Sequence, residues 1–335
     1  MYFSSRSSFI VILAIFILIS CDVTDTLQET NESPLDMTYL SSADWYLASC
    51  PVTHKNNLNL DDLNLNMRRG NAYWHNLYPS DVILSDIIDS VSSSISIPVL
   101  HFVYDPNQKG QYNNNPTYSS TDASWAGVTV LLKEEDALKI GEKFNNSYLV
   151  MWISPPWNTT LTHFNIDIGE ISEDVILNDM FDTEDHNYNE HFDDGEDTGL
   201  DRLFDKDESG YDEINIDPNN DNYELITTSF IDFSKSNYHE NNNNLDSEDI
   251  NNNWNLDKSN NYYTYKMPMD TTDNNYIVEN RVSSSRWWKI RIPLTNYSGI
   301  VGTPNNNELE MLRIWFNGMT EDIRFRIVEM KFVVE

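Results

Sequence analysis

Between residues 178 and 261 the sequence almost runs out of apolar side chains. Asp, Asn, Glu and Ser dominate there, and hydrophobic residues are only scattered. Such a stretch cannot bury enough surface to offset the conformational entropy of forming a core by itself. It reads as an insertion, or a long loop system, between two apolar halves of one domain. The halves must then close on each other.

Each half reads as short strands. Residues 97–104 (IPVLHFVY), 125–132 (WAGVTVLL), 148–154 (YLVMWIS) and 163–168 (HFNIDI) precede the acidic stretch. Residues 262–267, 286–294 (RWWKIRIPL), 309–317 (LEMLRIWFN) and 322–334 (DIRFRIVEMKFVV) follow it. Lys289 and Arg291 alternate with Ile290 and Ile292, and Arg324 and Arg326 with Phe325 and Ile327. A period of two with one wet and one apolar face marks an antiparallel sandwich. Hydrophobic residues at 39% and aromatics at 12% suffice for a sizeable core. Asp105-Pro106-Asn107 is expected to end its strand in a turn. Residues 58–67 alternate Leu with Asn and Asp and suit a first strand, while 80–96 fits helix or strand. Residues 171–180 suit a short helix, with Ser172 as cap and Glu173 and Asp174 in its first turn. No repeat with a period of 20–50 residues covers the chain.

The N-terminus sets the expected compartment. Arg6 gives a weak basic region, and residues 9–19 are apolar but shorter than the ~17–25 residues of a membrane span. Leu18-Ile19-Ser20-Cys21 then has the form of a lipobox. Residues 1–20 are thus expected to be a lipoprotein signal peptide, with Cys21 lipidated. Residues 21–57 would be anchor and tether, and 58–335 the folded module. An ordinary secretory leader ending in Cys is the alternative. With Cys21 acylated, Cys50 has no partner, so no disulfide framework is expected.

The net charge of −33, from 21 basic and 54 acidic residues, repels phosphate backbones. Nucleic acid is not an expected partner; divalent cations or basic surfaces are. Asp205, Asp207, Ser209 and Asp212 place oxygens along a short loop with Gly210 at its sixth position, and Asp201 lies just upstream. Calcium loops gather six to eight oxygens in this way. The twelfth position is Ile216, where an EF-hand has Glu. A second run, Asp249, Asn251, Asn253 and Asp257, repeats the alternate spacing without glycine. A solvated acidic loop with no ion is the competing reading of both. No GxSxG or HExxH pattern is present, and pairs among so many acids arise by chance, so the chain is expected not to be an enzyme. Trp74, Trp125, Trp152, Trp157, Trp287, Trp288 and Trp315 are core residues or a sugar-stacking platform.

Several segments, in order, resemble a known family. They are YDPNQKGQYN at 104–113, Trp125-Ala-Gly127, IGEISEDVI at 168–176, EDTGLD at 196–201 and DPNNDN at 217–222. DSEDIN at 246–251 with Tyr262-Tyr263, IRIPL at 290–294 and LRIWFNG at 312–318 complete the series. Together they resemble soluble regions of the SprA family of Bacteroidetes gliding motility and type 9 secretion, over about residues 100–335. SprA-like proteins are far longer and form an outer-membrane barrel, which the matching segments do not include. The resemblance implies a galactose-binding-like jelly roll in the outer envelope, on its periplasmic or cell-surface side. The expectation is thus an all-β jelly-roll sandwich with an acidic insertion at about 178–261, lipid-anchored, calcium-binding and non-catalytic. Its role would be that of a SprA-like accessory of secretion, gliding or surface assembly, with outer-membrane barrel or secretion components as partners. The alternative is a calcium-dependent carbohydrate-binding surface lipoprotein, with a glycan as partner.

Overall fold

The alternating segments do become strands. In the computed structural model, residues 39–58, 66–77, 99–120, 124–154, 162–219, 221, 245–269, 275–281 and 287–335 are described. The strands are β1 (Trp45–Leu47), β2 (Gly70–Leu77), β3 (Val99–Lys109), β4 (Trp125–Leu131), β5 (Ser147–Ser154) and β6 (His163–Glu170) before the insertion. After it come β7 (Asn261–Pro268), β8 (Ile277–Arg281), β9 (Trp287–Pro293), β10 (Gly299–Val301), β11 (Met311–Asn317) and β12 (Ile323–Val334). They build two six-stranded antiparallel sheets, ordered β1-β4-β11-β6-β7-β10 and β2-β3-β12-β5-β9-β8. Strand β11 lies between β4 and β6, and β12 between β3 and β5. Each sheet therefore mixes strands from both sides of the insertion, and neither half can form a sheet of this kind alone. The result is the expected all-β jelly-roll sandwich.

Alternation aims one set of side chains from each sheet into a shared interior. Phe316 and Phe164 of the first sheet meet Phe102 and Phe325 of the second. The 102–316, 164–325 and 316–325 ring centroids are 5.2, 5.0 and 5.5 Å apart. All four rings are buried. Each contributes about 1.5–3 kcal/mol relative to an exposed ring.

Three expectations change. The stretch assigned to the tether, up to residue 57, enters the fold by residue 39: Tyr39 and Leu40 are buried, Trp45–Leu47 pairs with β4, and a helix, α1, spans Val52–Leu58. Its apolar residues are few, but they dock on a sheet already built by the rest of the chain. Residues 171–180 are not helical; the Asp174 carboxylate accepts from Asn178 and Asp179 N–H in a loop instead. The helix is α2 (Glu134–Glu142), which has Glu134, Glu135 and Asp136 at its positive end and buries Ile140. The turn signal at Asp105-Pro106-Asn107 is absorbed as a bulge inside β3, because the register jumps between Gly70 and Asn71 and proline needs no ladder partner there. The proposed strand at 58–67 and the segment 80–96 lie largely and wholly outside the described residues, as does Cys21.

The outer face of the first sheet holds a buried ion pair. Arg313 donates through Nε (2.9 Å) and Nη2 (2.7 Å) to Asp167 Oδ2, which also accepts from Trp315 Nε1 at 3.0 Å. Thr264 donates to the other carboxylate oxygen. Neither charged side chain is exposed. The segment 48–58 roofs the pair: Arg313 Nη1 donates to the Ser49 carbonyl, Val52 N–H to the Tyr262 hydroxyl, and His54 packs on the Trp315 ring. Burial pushes the Asp167 carboxyl upward, and Arg313 with its other donors pulls it back. Removing one partner of such a pair strands the other charge. Asp167→Ala should cost about 3–5 kcal/mol in urea unfolding, and Asp167→Ala with Arg313→Leu should recover part of that. A double variant no more stable than Asp167→Ala would show that the lone charge is not the cause.

Candidate functional site

The insertion folds by a rule that is not hydrophobic. Residues 172–182, 183–193 and 247–257 each begin Ser/Thr-Glu-Asp, place Asn four residues after that Asp, and end on Asp. Within each, the early Asp accepts two successive N–H groups. Asp174 takes those of Asn178 and Asp179, Asp185 those of Asn189 and Glu190, and Asp249 those of Asn253 and Trp254, at 2.7–3.1 Å. The Asn amide then donates to the final Asp, 178 to 182, 189 to 193 and 253 to 257. Each loop carries two residues at positive φ: Leu177 and Asp179, Tyr188 and Glu190, Asn252 and Trp254.

The glutamates join the loops in pairs. Glu248 reaches into the first loop and accepts from Val175, Ile176 and Asp182 N–H, while Glu173 accepts from Asn251 and Asp257 in the third. Glu196 accepts from His186 and Asp193 in the second loop, and Glu184 accepts from Thr198, Gly199 and Asp246. Each such bond contributes roughly 0.5–1.5 kcal/mol net. Burial nevertheless raises Glu173 to about 7 and Glu184 and Glu248 to about 8, against the opposing pull of those N–H groups.

A further set of carboxylates crowds together. Ligand atoms of Asp205, Glu208, Asp217 and Asp221 all lie within 4.8 Å of one another. Glu208 Oε2 accepts from Asn219 N–H, and Asp217 Oδ1 from Asp221 N–H. Among the described residues, Glu208 Oε1 and Asp221 Oδ2 are buried with no hydrogen-bond partner, in residues only 5% and 2% exposed. Gly199, at φ +56, lets Asp221 come this close, since a Cβ there would overlap its carboxylate. Desolvation, then the neighbouring acids, pushes Asp221 to about 11 and Glu208 to about 7. Buried orphan oxygens facing other carboxylates suit a hard cation that takes oxygen ligands. The acidic cluster could hold a metal ion.

Of the residues expected to ligate calcium, only Asp205 belongs to this set. Asp201 stands beside it, accepting from the Asn219 amide at 2.7 Å. Asp207 and Ser209 lie in the 205–210 turn but not in the cluster, and Asp212 is exposed, capping Ile214 and Asn215 N–H. In the second run, Asp249 is filled by backbone N–H groups. Asn251 and Asn253 both donate to Asp257, at 2.8 and 2.7 Å. Glu208, Asp217 and Asp221 join the site because the chain turns back at Gly210, where φ is +105. The repeated Ser/Thr-Glu-Asp start is the legible signal for the loops, and the first two starts, Ser172 and Thr183, stand closer together than the repeat of a solenoid. Trp74, Trp125, Trp152, Trp287, Trp288 and Trp315 are all buried and offer no platform, and Trp157 lies outside the described residues.

No known protein family matches the sequence, and no curated protein does. Among solved structures, the chain is similar to a family 11 carbohydrate-binding module from Clostridium thermocellum in complex with a β-1,3-1,4-mixed-linked tetrasaccharide. Identity is 10%, coverage 87% of this chain and 89% of that one, and the TM-score 0.33. The family 11 module of a cellulosomal cellulase from the same organism matches at 9% identity, over 79% and 83%, with a TM-score of 0.30. At these scores the strand pairing above, not the likeness, carries the fold.

Because Glu173, Glu184 and Glu248 sit above their ordinary value, their contribution is full below about pH 4.5 and is lost as pH rises through 7–8. Hydrogen-exchange protection at 175–185 and 246–257, corrected for intrinsic rates and measured without divalent ions, should fall from pH 5 to pH 9. Flat protection over that range would contradict the assignment.

Proposed function

We propose that the chain is a non-catalytic envelope lipoprotein, a SprA-like accessory module for secretion, gliding or surface assembly, whose acidic insertion is closed by calcium. The observation that carries the cation reading is the pair of orphaned buried oxygens, Glu208 Oε1 and Asp221 Oδ2, in a four-carboxylate cluster. Asp205 and Asp217 complete the set, and oxygen-only ligation favours calcium over softer metals. Bound calcium would offset the mutual repulsion of these acids and fix 205–221 as one unit. The envelope role rests on the lipobox and on the ordered SprA-like segments. No exposed tryptophan on the sandwich faces speaks for the glycan-binding alternative among the described residues.

A native-state ligand at 100 times its Kd stabilises by about 2.7 kcal/mol. Calcium should therefore raise the melting midpoint and chelator lower it. Asp221→Asn with Glu208→Gln should abolish the response and melt above chelated wild type, because buried amides need neither a proton nor a cation to be neutral. A wild-type midpoint indifferent to chelator would reject the ion. For the anchor, Cys21→Ala should move the protein from the membrane to the soluble fraction; retention in the membrane would reject lipidation. Co-purification with outer-membrane barrel proteins is the corresponding test of the accessory role.

A further inference from the structure

The three acidic loops serve as internal controls for one another. Their backbones share the same pair of left-handed positions, with φ between 56 and 63° in all three. At the first position stand Leu177, Tyr188 and Asn252, and at the second Asp179, Glu190 and Trp254. The loop therefore closes without an aromatic residue at either place. Bulky side chains are disfavoured at positive φ, and Asn is among those that tolerate it. Yet the second loop has Tyr188 at such a position and the third has Trp254. The two rings meet across the loops, centroids 5.6 Å apart and planes at 65°. Tyr188 is 56% exposed and Trp254 47%. Neither ring belongs to a core cluster. Loop geometry does not need them, and burial does not explain them.

We propose that Tyr188 and Trp254 form a binding site for a neutral saccharide. Exposed aromatic faces stack on the C–H surface of a sugar ring and remain compatible with water at their polar tips. The rim supplies the complementary polar groups. Asn187 and Asn189 each donate one amide N–H to Asp193, and Asn253 donates one to Asp257. An amide nitrogen has two hydrogens, so each exposed Asn keeps one for a hydroxyl oxygen. Asp185 and Asp249 each take two backbone N–H groups, and Asp193 and Asp257 each take two amides on Oδ2. The remaining amide hydrogens can be accepted by a hydroxyl oxygen and not by an ammonium group, which has no acceptor. The surrounding negative charge works against sulfated or uronic polymers. The site uses loops that close through their own N–H groups, so it does not depend on the cation reading.

The full-length protein in detergent would be run by affinity electrophoresis against laminarin, glucomannan, xylan, dextran sulfate and polylysine. Retention is expected by at least one neutral polysaccharide and not by dextran sulfate. Trp254→Asn and Tyr188→Asn should each weaken it about tenfold or more, with a melting midpoint unchanged or higher, because Asn relieves the left-handed strain. Absence of retention by any neutral polysaccharide, or retention by polylysine alone, would overturn the proposal. So would a lowered midpoint in the Asn variants, which would make the rings structural.

Discussion

A backbone N–H donating to a buried carboxylate is the interaction on which the insertion depends. With almost no apolar surface to bury, residues 172–199 and 246–257 are organised by acids that collect peptide donors two or three at a time. The arrangement is reciprocal, since Glu173 and Glu248 each hold the other's loop, as Glu184 and Glu196 do. Long-range closure follows from local chemistry: a loop that has capped itself with Asp174 or Asp249 presents its remaining N–H groups in one direction, where a glutamate can take them. The loops also touch the sandwich. Val175 and Leu200 enter its main apolar cluster, and Ile250 packs on the outer face of the first sheet.

The molecule handles buried acid in three ways, and the contrast gives each its meaning. Asp167 is matched by a guanidinium and keeps one sheet face closed under the segment 48–58. The loop acids are matched by peptide dipoles and shape the insertion. Asp221 and Glu208 are matched by neither on one oxygen each, so they hold protons or a cation. The same residue types thus serve packing, folding and ligation, sorted by the donor that faces them.

Much of the sandwich was legible. Alternation located β4, β5, β6, β7, β9, β11 and β12 nearly to the residue, because a half-buried strand writes its period into the chain. Strands β1, β2, β8 and β10 were not read. β1 and β10 span only Trp45–Leu47 and Gly299–Val301, too short for a period, and β2 puts polar and aromatic residues on both faces, Asn71, Tyr73 and His75 on one and Trp74 and Asn76 on the other. Ser172-Glu173-Asp174 looked like a helix start because the same side chains cap helices; here the bonds they make run to a loop instead.

Composition and period, which are properties of neighbouring residues, determined by themselves that the chain has two apolar strand groups, an insertion without a core, and a strong excess of acid. Which acids are satisfied, and which are left facing one another, depends on segments far apart in sequence. Glu248 meets Val175, and Asp221 fits against Gly199, only after the halves have interleaved and the loops have closed. Hydrogen bonding and like-charge repulsion act over a few ångströms of space, and sequence spacing does not encode that distance.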